Sequence, residues 1–71
     1  MIIYEPLWNT MKARGISTYR LNKEGISRGT IYSIKKGEGI STFTIDRLCH
    51  ILKCSVNDII EFKDTDHEPE A

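Results

Sequence analysis

Cysteine is scarce. The 71-residue chain has two, enough for one disulfide and too few for a cystine-stapled secreted scaffold. Long apolar runs are missing as well. The longest, Met1-Ile2-Ile3-Tyr4, falls far short of the ~20 residues that a membrane-spanning helix needs. No basic stretch followed by an apolar one marks a signal peptide. There is no net excess of charge, because ten Lys and Arg balance ten Asp and Glu. No glycine-rich phosphate loop, nucleophile–base pair or paired carboxylates on one helical face are present. A chain this short also has little room for both a core and a catalytic pocket. These absences leave one small, soluble, cytoplasmic domain, expected to be no enzyme, to span no membrane and to need no cofactor.

The neutral total hides an asymmetry. Residues 10–36 carry seven bases (Lys12, Arg14, Arg20, Lys23, Arg28, Lys35 and Lys36) against Glu24 alone. Residues 37–71 carry three bases against eight acids. A basic segment inside a neutral chain is the footprint of a surface that meets a polyanion, or simply of a solvated face.

Helix punctuation recurs along the chain. Pro6 suits a first helical turn, Leu7 and Met11 share a face beside Trp8, and Gly15 supplies a stop. Ser17 caps a second helix over Thr18 to Glu24, with Leu21 inward, and Gly25 ends it. Ser27 caps a third helix, residues 28–36, with Ile31 and Ile34 inward and a stop at Gly37. Ser41 caps a fourth helix whose stripe is Ile45, Leu48, Cys49 and Leu52. Ser55 caps a fifth, with Asp58 as capping-box partner and Val56, Ile59 and Ile60 inward. From Lys63 onward the chain is acidic and polar, so residues 63–71 are expected to be a disordered tail after a domain over residues 1–62. Ile2-Ile3-Tyr4 and Ile60-Glu61-Phe62 suit short strands at the two chain ends, pairing either within one chain or between two.

Candidate metal chemistry is weak. Cys49 and Cys54 lie five apart, about 140° around a continuous helix, so they cannot clasp one ion as neighbours. Cys49 reads as a small core residue. His50 lies off the stripe and His67 lies in the tail. Trp8 and Tyr19 read as core or groove-filling aromatics. Phe43 lies off the stripe of the fourth helix and is a candidate exposed contact.

The centre of the chain is the corner Gly25-Ile26-Ser27. Glycine can take the left-handed turn a sharp helix-to-helix corner needs, Ile26 plugs it, and Ser27 starts the next helix. That helix turns Arg28, Gly29, Thr30, Tyr32, Ser33, Lys35 and Lys36 outward, a donor-rich surface suited to a major groove. The segment from Gly25 to Gly37 resembles the helix-turn-helix of Cro/lambda-repressor-type (Xre-like) regulators. Ile40 to Cys49 and Leu52 to Ile60 resemble that family's fourth and fifth helices, and Tyr4-Glu5-Pro6-Leu7-Trp8 is similar to a compact single-domain subgroup. Ser17-Thr18-Tyr19 stand where many members carry Gln.

The resemblance implies an all-α, five-helix DNA-binding domain acting as a transcriptional repressor on double-stranded DNA, as a homodimer. An antitoxin-like protein-interaction module is the alternative. Base-facing candidates are Arg28, Gly29, Tyr32 and Ser33. Candidates for contact with the DNA backbone are Ser17, Thr18, Ser27, Thr30, Lys35, Lys36, Ser41 and Thr42, at helix N-termini or beside the recognition helix. No catalytic or metal site is expected.

Overall fold

The computed structural model describes residues 1–64; the expected tail beyond Asp64 lies outside the described residues. The order is β1 (Ile2–Ile3), α1 (Glu5–Arg14), α2 (Thr18–Lys23), α3 (Arg28–Lys35), α4 (Thr42–Leu52), a single 3₁₀ turn (Val56–Asp58) and β2 (Glu61–Phe62). The class is all-α, with two short strands joining the ends of the described chain. Ile2 faces Phe62 and Ile3 faces Glu61 in an antiparallel pair within one chain. Tyr4 leaves the strand and becomes the residue before α1.

Most helix starts follow from side-chain caps. Ser17, Ser27 and Ser41 each accept the backbone N–H three residues on, at 3.2, 3.1 and 3.1 Å. Each thereby satisfies one of the N–H groups that a helix N-terminus leaves unpaired. α1 begins without such a cap, on Glu5 and Pro6. It stops where Gly15 turns left-handed (φ 67°).

The fifth helix is shorter than its pattern implies. Asp58 does reach back to the Ser55 N–H, at 3.2 Å, but the helix closes after three residues. A short isolated turn gains too few hydrogen bonds to propagate, while strand pairing with Ile2 and Ile3 claims the residues just beyond. Ile59 is fully buried, Ile60 is half-buried, and Val56, expected inward, faces solvent. The second and third helices each end one residue early, with Glu24 and Lys36 in the capping positions.

The core comprises Tyr4, Leu7, Met11, Leu21, Ile26, Ile31, Ile34, Leu48, Leu52 and Ile59, one contribution or more from every helix. Trp8 and Cys49 pack against it half-buried. Polar ties hold its rim. Thr10 Oγ1 donates to the Asp58 carbonyl at 2.9 Å, joining α1 to the 3₁₀ turn. Tyr4 Oη donates to the Glu38 carbonyl at 2.6 Å, joining the N-terminus to the loop between α3 and α4.

Burial pushes the Tyr4 phenol above its ordinary value of 10.0. The folded state therefore holds that proton more tightly than the unfolded chain. Its contribution to stability is complete below pH 10.0 and is lost as pH rises from there through the raised folded value. Tyr4→Phe is expected to cost about 1 kcal/mol at neutral pH for the lost hydrogen bond and to flatten the alkaline decline. Urea titrations at neutral and alkaline pH, in a Cys54→Ser background that removes the thiol's own titration, check both effects.

Candidate nucleic-acid interface

α3 buries one side and presents the other. Ile31 and Ile34 enter the core. The helical period then turns Arg28, Gly29 and Tyr32 outward, with Lys36 following as the C-terminal cap. Tyr32 is 62% exposed although it is a large aromatic residue. Ser33 is half-buried, a less open position than its expected base-facing role implies.

A cleft of about 340 Å³ separates α2 from α3. It is lined by Thr18, Tyr19 and Asn22 on one side and by Arg28, Ile31, Tyr32 and Lys35 on the other. Four of the sequence-derived candidates (Thr18, Arg28, Tyr32 and Lys35) therefore meet around one depression, and no acid lines it. Lys36 is placed differently. Its ammonium lies 5.1 Å from the Tyr32 ring centroid and 3.5 Å from the Glu38 carboxylate. The ring and the carboxylate together hold it beside the exposed face. Tyr19, read from sequence as a core or groove-filling aromatic, is no core residue: it lines the cleft and is 69% exposed there. The first turn of α2 points it away from Leu21, which holds the inward position.

The serine and threonine candidates divide by what their hydroxyls already do. Ser27 Oγ accepts the Thr30 N–H and donates its proton to Thr30 Oγ1 at 2.9 Å. That leaves the Thr30 proton, rather than the Ser27 proton, to reach outward. Ser17 only accepts in its cap, so its O–H remains a donor. Ser41 Oγ and Thr44 Oγ1 share a contact of 3.1 Å. Ser41 and Thr42 are exposed but line neither cleft. A second, smaller cleft joins Ser27 and Thr30 to Phe43, Thr44 and Arg47, so the N-termini of α3 and α4 open on a common depression. Phe43 is 69% exposed there.

The corner between α2 and α3 is held from two sides. Asn22 Nδ2 donates to the Ile26 carbonyl at 2.9 Å. Arg47, from α4, donates through Nη2 to the Glu24 carbonyl at 2.7 Å. Its guanidinium covers Gly25, whose φ is 111°. Sequence reasoning gave Arg47 no role. It lies 23 residues from its partner, and no local spacing signals the contact.

Two short helices, a glycine corner and an exposed basic second helix define a helix-turn-helix DNA-binding domain. The chain matches the family model for the Cro/C1-type HTH DNA-binding domain over residues 6–65, and it belongs to that family. Among solved structures it is similar to the transcriptional regulator VanUg, with 30% identity and a TM-score of 0.78. That match covers 84% of this chain and 81% of the other. No curated protein matches. No helix among the described residues is long and apolar enough to cross a membrane.

Proposed function

We propose that this protein is a sequence-specific transcriptional repressor that places α3 in the major groove of double-stranded DNA in the cytoplasm. The observation that carries this reading is the exposed, acid-free surface of α3 facing the first turn of α2. Arg28, Gly29, Tyr32 and Ser33 read base edges from it. Ser17, Thr18, Ser27, Thr30, Lys35, Lys36, Ser41 and Thr42 meet phosphates, through hydroxyls, ammonium groups or the N–H groups of helix N-termini. Repression follows from occupancy of the site, without catalysis or a cofactor.

Selection of bound duplexes from a random library tests the proposal: a shared motif supports it, and uniform recovery of all sequences overturns it. Lys35→Ala is expected to lower the slope of log affinity against log salt by about one unit. Lys36→Ala is expected to lower it by less, because Glu38 already engages that ammonium at 3.5 Å. Slopes measured on one selected duplex check the order of the two.

The same reading includes a dimer on DNA, since two modest modules on a palindrome multiply affinity. Met1, Ile2 and Phe62 stand exposed where the two chain ends pair, an apolar surface suited to a second copy. Sedimentation of the protein with a selected duplex is expected to give two chains per site. One chain on a non-palindromic site would reject the dimer alone.

A further inference from the structure

The C-terminal end of α4 brings two thiols together that a continuous helix would separate. Lys53 turns left-handed (φ 53°) and reverses the chain. The N–H of Cys54 then donates to the Cys49 carbonyl at 3.1 Å. This is the long bond of a Schellman turn, in which side chains at the same two positions also touch. Here both positions are cysteine, so the turn sets the Cys54 side chain beside that of Cys49, near enough for the two thiols to act on one another. The expected 140° separation is thereby corrected: it holds on a helix, and the helix ends before Cys54.

Both cysteines are free and half-buried, so they pack against the core while keeping a path to solvent. Arg14 and Asp58 are the charged groups that act on Cys54, in opposite senses. The Arg14 guanidinium also donates to the Lys53 carbonyl at 3.4 Å, on the same turn. Among the described residues no group of three or more His, Cys, Asp and Glu is placed to hold a metal ion.

We propose that Cys49 and Cys54 form a dithiol–disulfide modification site, closed by a low-molecular-weight disulfide such as oxidised glutathione into a covalent staple across the end of α4. The Cys49 thiolate attacks one sulfur of glutathione disulfide and expels a glutathione thiolate, which takes up the proton that Cys49 gave. The Cys54 thiolate then attacks the Cys49 sulfur of the mixed disulfide and expels the second glutathione, which is protonated in turn. Two protein thiols are oxidised to one disulfide, and one glutathione disulfide is reduced to two thiols. Burial and the neighbouring Cys49 push the Cys54 thiol up, which favours Cys49 as the first to react. The second step is intramolecular, with the attacking thiol held beside its target.

The test treats the reduced full chain with glutathione disulfide, quenches with acid and weighs the products. The wild-type chain is expected to lose two hydrogens and remain a monomer on a non-reducing gel. Its glutathione adduct should stay below about a tenth of that in Cys54→Ser, because a thiol tethered at short range competes at ~mM effective concentration. Cys49→Ser and Cys54→Ser should each stop at one glutathione adduct. The oxidised wild type should melt above its reduced form, and the single variants should show no such rise. Stable adducts on both cysteines of the wild type would overturn the proposal. So would disulfide-linked dimers, or a wild type that stays reduced where the single variants are modified.

Discussion

Gly25→Ala is expected to destabilise the domain by about 2–3 kcal/mol, from two independent causes. At φ 111° the backbone lies where side chains rarely go. A Cβ there would also run into the Arg47 guanidinium, displacing it from the Glu24 carbonyl. For a domain of this size each kcal/mol lowers Tm by roughly 4–8 °C, so thermal unfolding should shift by about 10–20 °C. The two causes separate in an Arg47→Ala background. There the steric part disappears, and Gly25→Ala should cost less than in the wild type. A Tm for Gly25→Ala within about 2 °C of wild type would show that the corner tolerates a side chain. DNA affinity should fall more than stability alone explains, because the corner sets the angle between α2 and α3.

The second large effect concerns Arg28 and Tyr32. Both are exposed, and alanine is a good helix former, so Arg28→Ala and Tyr32→Ala should leave folding nearly unchanged. Each is expected to cost about 1–3 kcal/mol of binding to the selected duplex. The pattern across sequences distinguishes the role of Arg28. A lost guanine contact relaxes preference at one base position, whereas a lost phosphate contact weakens all duplexes alike. Tyr32→Ala should also release Lys36, whose ammonium rests 5.1 Å from the ring centroid. The double variant should bind the selected duplex no better than a scrambled one. Undiminished binding by the double variant would exclude the outward face of α3 as the reading surface.

The helix-turn-helix was legible because its determinants are local. Ser17, Ser27 and Ser41 each cap a helix by reaching three residues ahead, within one turn of chain. Gly15, Gly25 and Gly37 take the positive φ expected of residues that end helices. Ile31 and Ile34 take the core side by period alone, and that assigns Arg28 and Tyr32 to the other side. The position of Tyr19 was not legible in the same way. A first-turn aromatic two residues from the inward Leu21 fits a core rim or a surface equally well, and only the packing of Leu21 assigned it outward.

By itself, then, the sequence determined the serine caps, the glycine corner, the buried stripe of α3 and the basic surface, because each depends on residues within a few positions of one another. Tertiary structure alone decided the rest. It cut the fifth helix to a single turn, because pairing of Glu61 and Phe62 with the N-terminal strand competes for the same stretch of chain. It set Arg47 on the carbonyl of Glu24, 23 residues away, because the packing of α4 carries that guanidinium over the corner. It also brought Cys54 back onto Cys49, because a left-handed lysine reverses the chain where no glycine marks a stop. Contacts between distant residues, and helix ends without a local signal, depend on how the elements pack, and no spacing in the sequence encodes that.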